Sequence, residues 1–205
     1  MAERSLCRRA ALLLALSAPA AARTAEGEAA AALVAALRAG GHVAVMRHAI
    51  TDRSQLDTGD LLNRAGQRNL SDDGRAQARR LGAAFAALRI PLGEVLASPV
   101  FRARDTAEIA FGARARIEPM LTADDYTPDP TQLARRIAWL RARAAAPSAP
   151  TATDVLVAHI VPLGMMLGRT LAQAEYPEGA IAVFAPGGRL LGILSAESLA
   201  AAAGV

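Results

Sequence analysis

A chain of 205 residues is long enough to close one ordinary hydrophobic core without metals or disulfides. Its composition, 53% apolar but only 3% aromatic, excludes a disordered chain and points to an interior of alanine, leucine and valine, as in helices packed on a sheet. The formal charge of +4 rests on 23 arginines and no lysine; without residues 1–22 it falls to +2, from 20 basic and 18 acidic residues, too little to indicate a nucleic-acid partner.

Residues 1–22 have the layout of a secretory signal. Arg4, Arg8 and Arg9 precede an apolar run from Ala10 to Leu16, and Ala20, Ala21 and Ala22 form a small-residue cleavage site. The run falls far short of the roughly 20 apolar residues that a membrane span needs, so export without a stable membrane anchor is expected, to the periplasm or beyond. Adjacent arginines are common in so arginine-rich a chain, and Arg8-Arg9 does not fix the export route. The one cysteine, Cys7, lies ahead of the apolar run, so the mature chain is expected to lack thiols and disulfides.

The remainder, residues 23–205, reads as one domain. Residues 29–38 predict a short helix closed by Gly40-Gly41, and 42–46 a buried strand that ends at Arg47-His48. Residues 49–70 form a long polar loop broken by Asp57, Gly59, Asp60, Asn63 and Gly66. Ser71 then caps a helix whose apolar face carries Ala78, Leu81, Phe85 and Leu88. Residues 94–97 predict a strand, after which Ser98 caps, and Pro99 opens, a helix to about Phe111. A strand near 116–118, a loop over 119–130, a helix over 132–144, a strand over 154–158 ending at His159 and a helix over 163–171 continue the alternation. A strand pair over 179–184 and 189–194 closes it, joined by a tight turn.

Strands alternating with helices imply an α/β fold, a three-layer α/β/α sandwich with a mostly parallel sheet. Such sheets bind ligands beyond the carboxyl ends of their strands, and Arg47, His48, Ser98, Arg102 and His159 all fall at such ends. A histidine at a strand end commonly does no more than bind a loop, but two of them flanked by placed arginines point to chemistry. Guanidinium forks suit phosphate oxygens, and a neutral imidazole can attack phosphorus through one ring nitrogen while the other is held by a carbonyl.

Four blocks resemble the histidine phosphatase superfamily, also called phosphoglycerate-mutase-like. Arg47-His48 matches its arginine-histidine signature. Residues 70–78, with Leu70, Gly74, Gln77 and Ala78, match its helix start. Residues 98–107, with Ser98, Arg102, Ala103, Thr106 and Ala107, match its serine-to-threonine-alanine block, and Val157-Ala158-His159 matches the second-histidine strand.

The resemblance implies that His48 accepts the phosphoryl group, that Arg47 and Arg102 bind its oxygens, that His159 is the second pocket histidine, and that neither cofactor nor metal takes part. A small phosphorylated substrate is the expected partner, with a monomer as the default. Asp124 or Asp125 is the candidate general acid, with Glu118 and Asp52 as outside options. Ala49 and Ile160 stand where the family commonly has glycine. Ser54 stands where its mutase branch carries asparagine, which favours a phosphatase over a mutase.

Two histidines on opposite ends of one strand, His42 and His48, cannot share a metal, and no serine-hydrolase elbow or P-loop is present. The expectation is therefore an exported, metal-independent phosphomonoesterase of the histidine acid-phosphatase type. A catalytically silent phospholigand-binding module and a phosphohistidine-specific protein phosphatase are the alternatives.

Overall fold

The computed structural model describes residues 20–205, so most of the leader segment expected over residues 1–22 lies outside the described residues. Six strands form one sheet: β1 (His42–Arg47), β2 (Leu92–Ala97), β3 (Ala115–Ile117), β4 (Thr153–Ala158), β5 (Ile181–Phe184) and β6 (Leu190–Leu194). Their order is β3-β2-β4-β1-β5-β6. The first four run parallel, whereas β5 is antiparallel to both β1 and β6, so the sheet is mixed.

Alternation along the strands sends successive side chains to opposite faces, and both faces are covered. On one side Ala44, Met46, Val95, Val155, Val157 and Val183 meet α1 (Ala20–Ala39), α2 (Asp72–Ala87), α3 (Phe101–Phe111) and α6 (Ala196–Ala203). On the other, Val43, Val45, Leu156 and Phe184 meet α4 (Pro130–Ala145) and α5 (Ile160–Leu167). This is the expected three-layer sandwich.

The first helix begins at Ala20 rather than near Ala29, because the alanine-rich stretch ahead of its packed turns favours helix on its own. Among the described side chains of α1, Leu33, Val34 and Leu37 are the ones buried in the core. The third helix starts at Phe101, three residues past Ser98. Helix α5 starts immediately after His159 and stops at Gly168, whose φ of 71° ends it. Helix α6 was not anticipated from the sequence.

Two devices in the fold hold the segment that leaves β1. Gly74, in the first turn of α2, lies so close to the chain that a Cβ there would come within 1.8 Å of the Ile50 carbonyl oxygen. That carbonyl also accepts from the Ser71 N–H at 3.1 Å, while the Gln77 side chain accepts from the Ile50 N–H at 3.1 Å and donates to the Glu178 carbonyl at 3.0 Å. The glycine and glutamine of the second motif block are thus clamps on the loop that follows His48.

Below the site, at the opposite end of the sheet, the fully buried Asp154 carboxylate accepts from the Glu94 and Ser148 N–H groups, the Ser148 hydroxyl and Arg143 at 2.6–2.8 Å. Burial alone would raise its pKa; these donors outweigh it and hold the carboxyl below its ordinary value.

Replacing Gly74 with alanine is expected to lower stability by about 1–3 kcal/mol, through overpacking, as read from urea unfolding. Asp154→Ala should cost about 2–4 kcal/mol by the same measurement, since it strands buried donors. Because the folded-state pKa of Asp154 is depressed, its contribution is present above the unfolded carboxylate value and lost as pH falls through the folded one. The Asp154→Ala deficit should therefore shrink below about pH 4.

Candidate active site

The register of β1 against β4 pairs Arg47 with Ala158, so the next residues, His48 and His159, emerge side by side at the carboxyl ends of two neighbouring parallel strands. Their rings stand 5.5 Å apart between centroids and both are almost fully buried. On the other side of β4, Ala97 pairs with Val157, which brings Ser98 beside His159.

His48 Nδ1 lies 2.9 Å from the Ala49 carbonyl oxygen. A carbonyl can only accept, so Nδ1 carries the hydrogen and Nε2 holds the lone pair. Ala49 is itself fixed, its N–H donating to the Thr106 hydroxyl at 2.9 Å while that hydroxyl donates to the Arg102 carbonyl at 2.6 Å. With alanine rather than glycine after the histidine, this carbonyl still fixes the imidazole tautomer.

The tautomer of His159 follows from a similar chain. Ser98 Oγ accepts from the Val100 N–H at 3.3 Å and lies 2.9 Å from His159 Nε2. Nε2 is the one acceptor within reach of that hydroxyl among the described hydrogen bonds, so its hydrogen is directed there, which leaves Nδ1–H as a donor. Burial first, and then the charge of Arg102, hold the pKa values of both imidazoles well below 6.5, so both are neutral near pH 7.

The arginines are held by their outer nitrogens. Arg47 Nη1 donates to the Tyr176 carbonyl at 2.6 Å, and Tyr176 is anchored by its hydroxyl on the Val45 carbonyl at 2.7 Å. Arg102 Nη1 meets both oxygens of Asp57 at 2.9 and 3.1 Å, and its Nη2 meets Asp125 at 3.1 Å. Tyr126 donates to Asp57 at 2.5 Å. Burial pushes the Asp57 pKa up, but the Tyr126 hydroxyl, the Arg68 N–H and the charges of Arg102 and Arg68 outweigh it, and Asp57 stays ionised.

Among the described residues, four buried side-chain nitrogens or oxygens have no hydrogen-bond partner: Nε of Arg47, Arg68 and Arg102, and Nδ1 of His159. Unpaired buried donors are costly, and a cluster of them is a common mark of a site built for an acceptor-rich ligand. A tetrahedral oxyanion supplies acceptors in several directions at once.

The structure thus brings together Arg47, His48, Arg102 and His159 as expected. Of the acidic pair it is Asp125, with a side chain 40% exposed, that reaches Arg102, while Asp124 opens a 3-10 turn whose backbone carbonyl accepts from the Thr127 N–H. Partial burial raises the Asp125 pKa against the opposing pull of Arg102, with help from the charges of Asp57 and Asp124. Glu118 caps the 3-10 turn over 119–121, Asp52 accepts from exposed Ser54, and Arg104 pairs with Glu108 at the surface. Sequence reasoning missed Asp57, Arg68, Tyr126 and Tyr176. Asp57 read only as a loop breaker, and Arg68 was one arginine among 23. Among the described residues no group of three or more His, Cys, Asp or Glu side chains is arranged to hold a metal ion, and no helix is long and apolar enough to cross a membrane.

No curated protein matches the sequence. The protein histidine phosphatase SixA, solved with tungstate, shares the fold with a TM-score of 0.55 and 20% identity over 77% of this chain and 99% of its own. A single-substitution variant of TTHB049 from Thermus thermophilus has a TM-score of 0.50 and 22% identity over 75% of this chain and 99% of its own. Residues 43–126 match the model of the histidine phosphatase superfamily (branch 1), a span that includes Arg47, His48, Ser98 and Arg102. That match runs through β1 and α3, so residues 43–126 are similar to the histidine phosphatase superfamily, and the fold is the one seen in the SixA structure.

Proposed function

We propose that this protein is a metal-independent phosphatase that hydrolyses phosphate monoesters through a phosphohistidine on His48. The observation that carries this reading is the pairing of His48 Nδ1 with the Ala49 carbonyl, which leaves the unprotonated Nε2 in a pocket whose unpartnered donors belong to Arg47, Arg102 and His159.

In the first step the Nε2 lone pair of His48 attacks phosphorus and the ester P–O bond breaks. The Nε–H groups of Arg47 and Arg102 and Nδ1–H of His159 take up charge on the equatorial oxygens. The departing oxygen receives a proton from a carboxylic acid, and Asp125 is the better placed of the expected pair. Its pKa is raised and its carboxyl rests on the arginine that binds the phosphoryl group. Asp125 then takes a proton from water, whose oxygen attacks the phosphohistidine. The P–N bond breaks, orthophosphate leaves and His48 is restored.

Residues 1–22 direct export in this reading, and the setting is periplasmic or secreted. Loss of those residues leaves the embedded part of α1, Leu33 to Leu37, untouched. Sequencing the N-terminus of protein recovered from the periplasm or medium should find Arg23; an intact Met1 on cytoplasmic protein would sink the export reading.

An aryl phosphate should be turned over in the presence of a chelator, and His48→Ala should lower kcat by about four orders of magnitude or more. A chain that binds phosphate esters without turnover would be the binding module instead, and turnover of phosphohistidine peptides alone would narrow the reading to a phosphohistidine phosphatase. Because burial lowers both imidazole pKa values, the attacking form of His48 persists below pH 6.5. The acid limb of kcat/KM, corrected for ionisation of the substrate, should have its midpoint clearly below that of a free imidazole. A midpoint at or above 6.5 would contradict a neutral buried nucleophile.

A further inference from the structure

Among the described residues, the long loop over residues 49–70 supplies the one unpartnered buried donor that the expected site does not use, Nε of Arg68. Its neighbours in sequence both serve to fix it. Gln67, fully buried, donates to the Asp60 carbonyl at 2.9 Å and accepts from the Phe101 N–H at 2.9 Å, tying the loop to the start of α3. The Asn69 side-chain amide donates to the carbonyls of Arg64 and Gln67 at 2.9 and 2.7 Å and to Gln55 at 3.1 Å, and Leu70 bridges back to Thr51. Between these anchors, the Arg68 N–H donates to Asp57 Oδ1 at 3.0 Å, the oxygen that Arg102 and Tyr126 also use.

Arg68 is therefore placed by main-chain bonds and by the side chains on either side of it, while its own half-buried side chain bonds through Nε to nothing. After burial and Arg102, its charge is among those that depress both pocket imidazoles, and it acts on Arg47 as well. A cation among other cations is destabilising on its own account, and it is balanced when an anion occupies the space they share. Arg47 and Arg102 likewise leave Nε over, although their outer nitrogens are held by the scaffold whereas Arg68 is held by its backbone N–H.

We propose that Arg68 is a further ligand of the phosphoryl group, donating through Nε–H to an oxygen alongside Arg47, Arg102 and His159. The assignment rests on the phosphatase reading for its chemistry, but it can be tested by binding alone. The fourth donor suits a phosphate dianion over a sulfonate, which has as many terminal oxygens but half the charge, and over a carboxylate, which has less of both.

Orthophosphate affinity is measured by calorimetry on the full chain and on its Arg68→Ala, Arg68→Lys and Arg104→Ala forms, with melting temperatures and aryl-phosphate kinetics in parallel. Arg68→Ala should weaken orthophosphate about tenfold or more, as loss of a charge-assisted hydrogen bond implies, without lowering the melting temperature. Arg68→Lys should fall between it and the parent, and surface Arg104→Ala should match the parent within about twofold. If the alanine form does not fold, the lysine form decides, since it keeps charge and stem but loses the fork. Unchanged affinity in the Arg68 variants, or no orthophosphate binding by the parent, overturns the assignment. Orthophosphate binding that depends on Arg68 in a parent that turns over no phosphate ester would support it while overturning the phosphatase reading.

Discussion

The parallel register between β1 and β4 is the constraint on which the site depends. Arg47 opposite Ala158 fixes His48 opposite His159, and a slip of one residue would turn one histidine to the other face of the sheet. Both strands are buried on both faces, by α1, α2 and α3 on one side and α4 and α5 on the other, so hydrophobic packing holds that register. The sheet then delivers two imidazoles at 5.5 Å without any contact between their own side chains being needed to hold them.

The tautomer of each ring is fixed by its neighbours. The Ala49 carbonyl places one on Nδ1 of His48, and Ser98 leaves one on Nδ1 of His159. Thr106 and Gln77 reach across from two helices to hold the backbone on which the first of these depends. The residues that appear in the sequence as motif letters are thus of two kinds: those gathered beyond the carboxyl ends of β1 and β4, and those that hold the chain leaving β1. Gly74 belongs to the second kind for a steric reason alone, its closeness to the Ile50 carbonyl.

Arg47, His48 and His159 were legible in the sequence because β1 and β4 are compact apolar runs that stop at those side chains, and Arg102 because it falls in a block that resembles the family's. The start of α3 was misplaced because Ser98 looks like a cap, whereas its hydroxyl is engaged with His159 and Val100 stands at the cap position. Helix α6 escaped notice because residues 196–203 are mostly alanine, with too little contrast between faces to show a period. Asp57 and Arg68 were illegible for a different reason. They lie in a loop without periodicity, and only the folded path over Gln67 and Asn69 brings them to the ends of β1 and β4.

The cations of the pocket are all guanidinium groups, in a chain without lysine. A guanidinium keeps its charge throughout the range in which proteins stay folded. The positive field around the two imidazoles is therefore set by covalent structure rather than by solution conditions, and only the imidazoles and carboxylates respond to acid. It also means that the site contains no amine. Aldehydes that condense with lysine find no partner around His48, whereas dicarbonyl reagents selective for arginine would strike the guanidinium groups beside it.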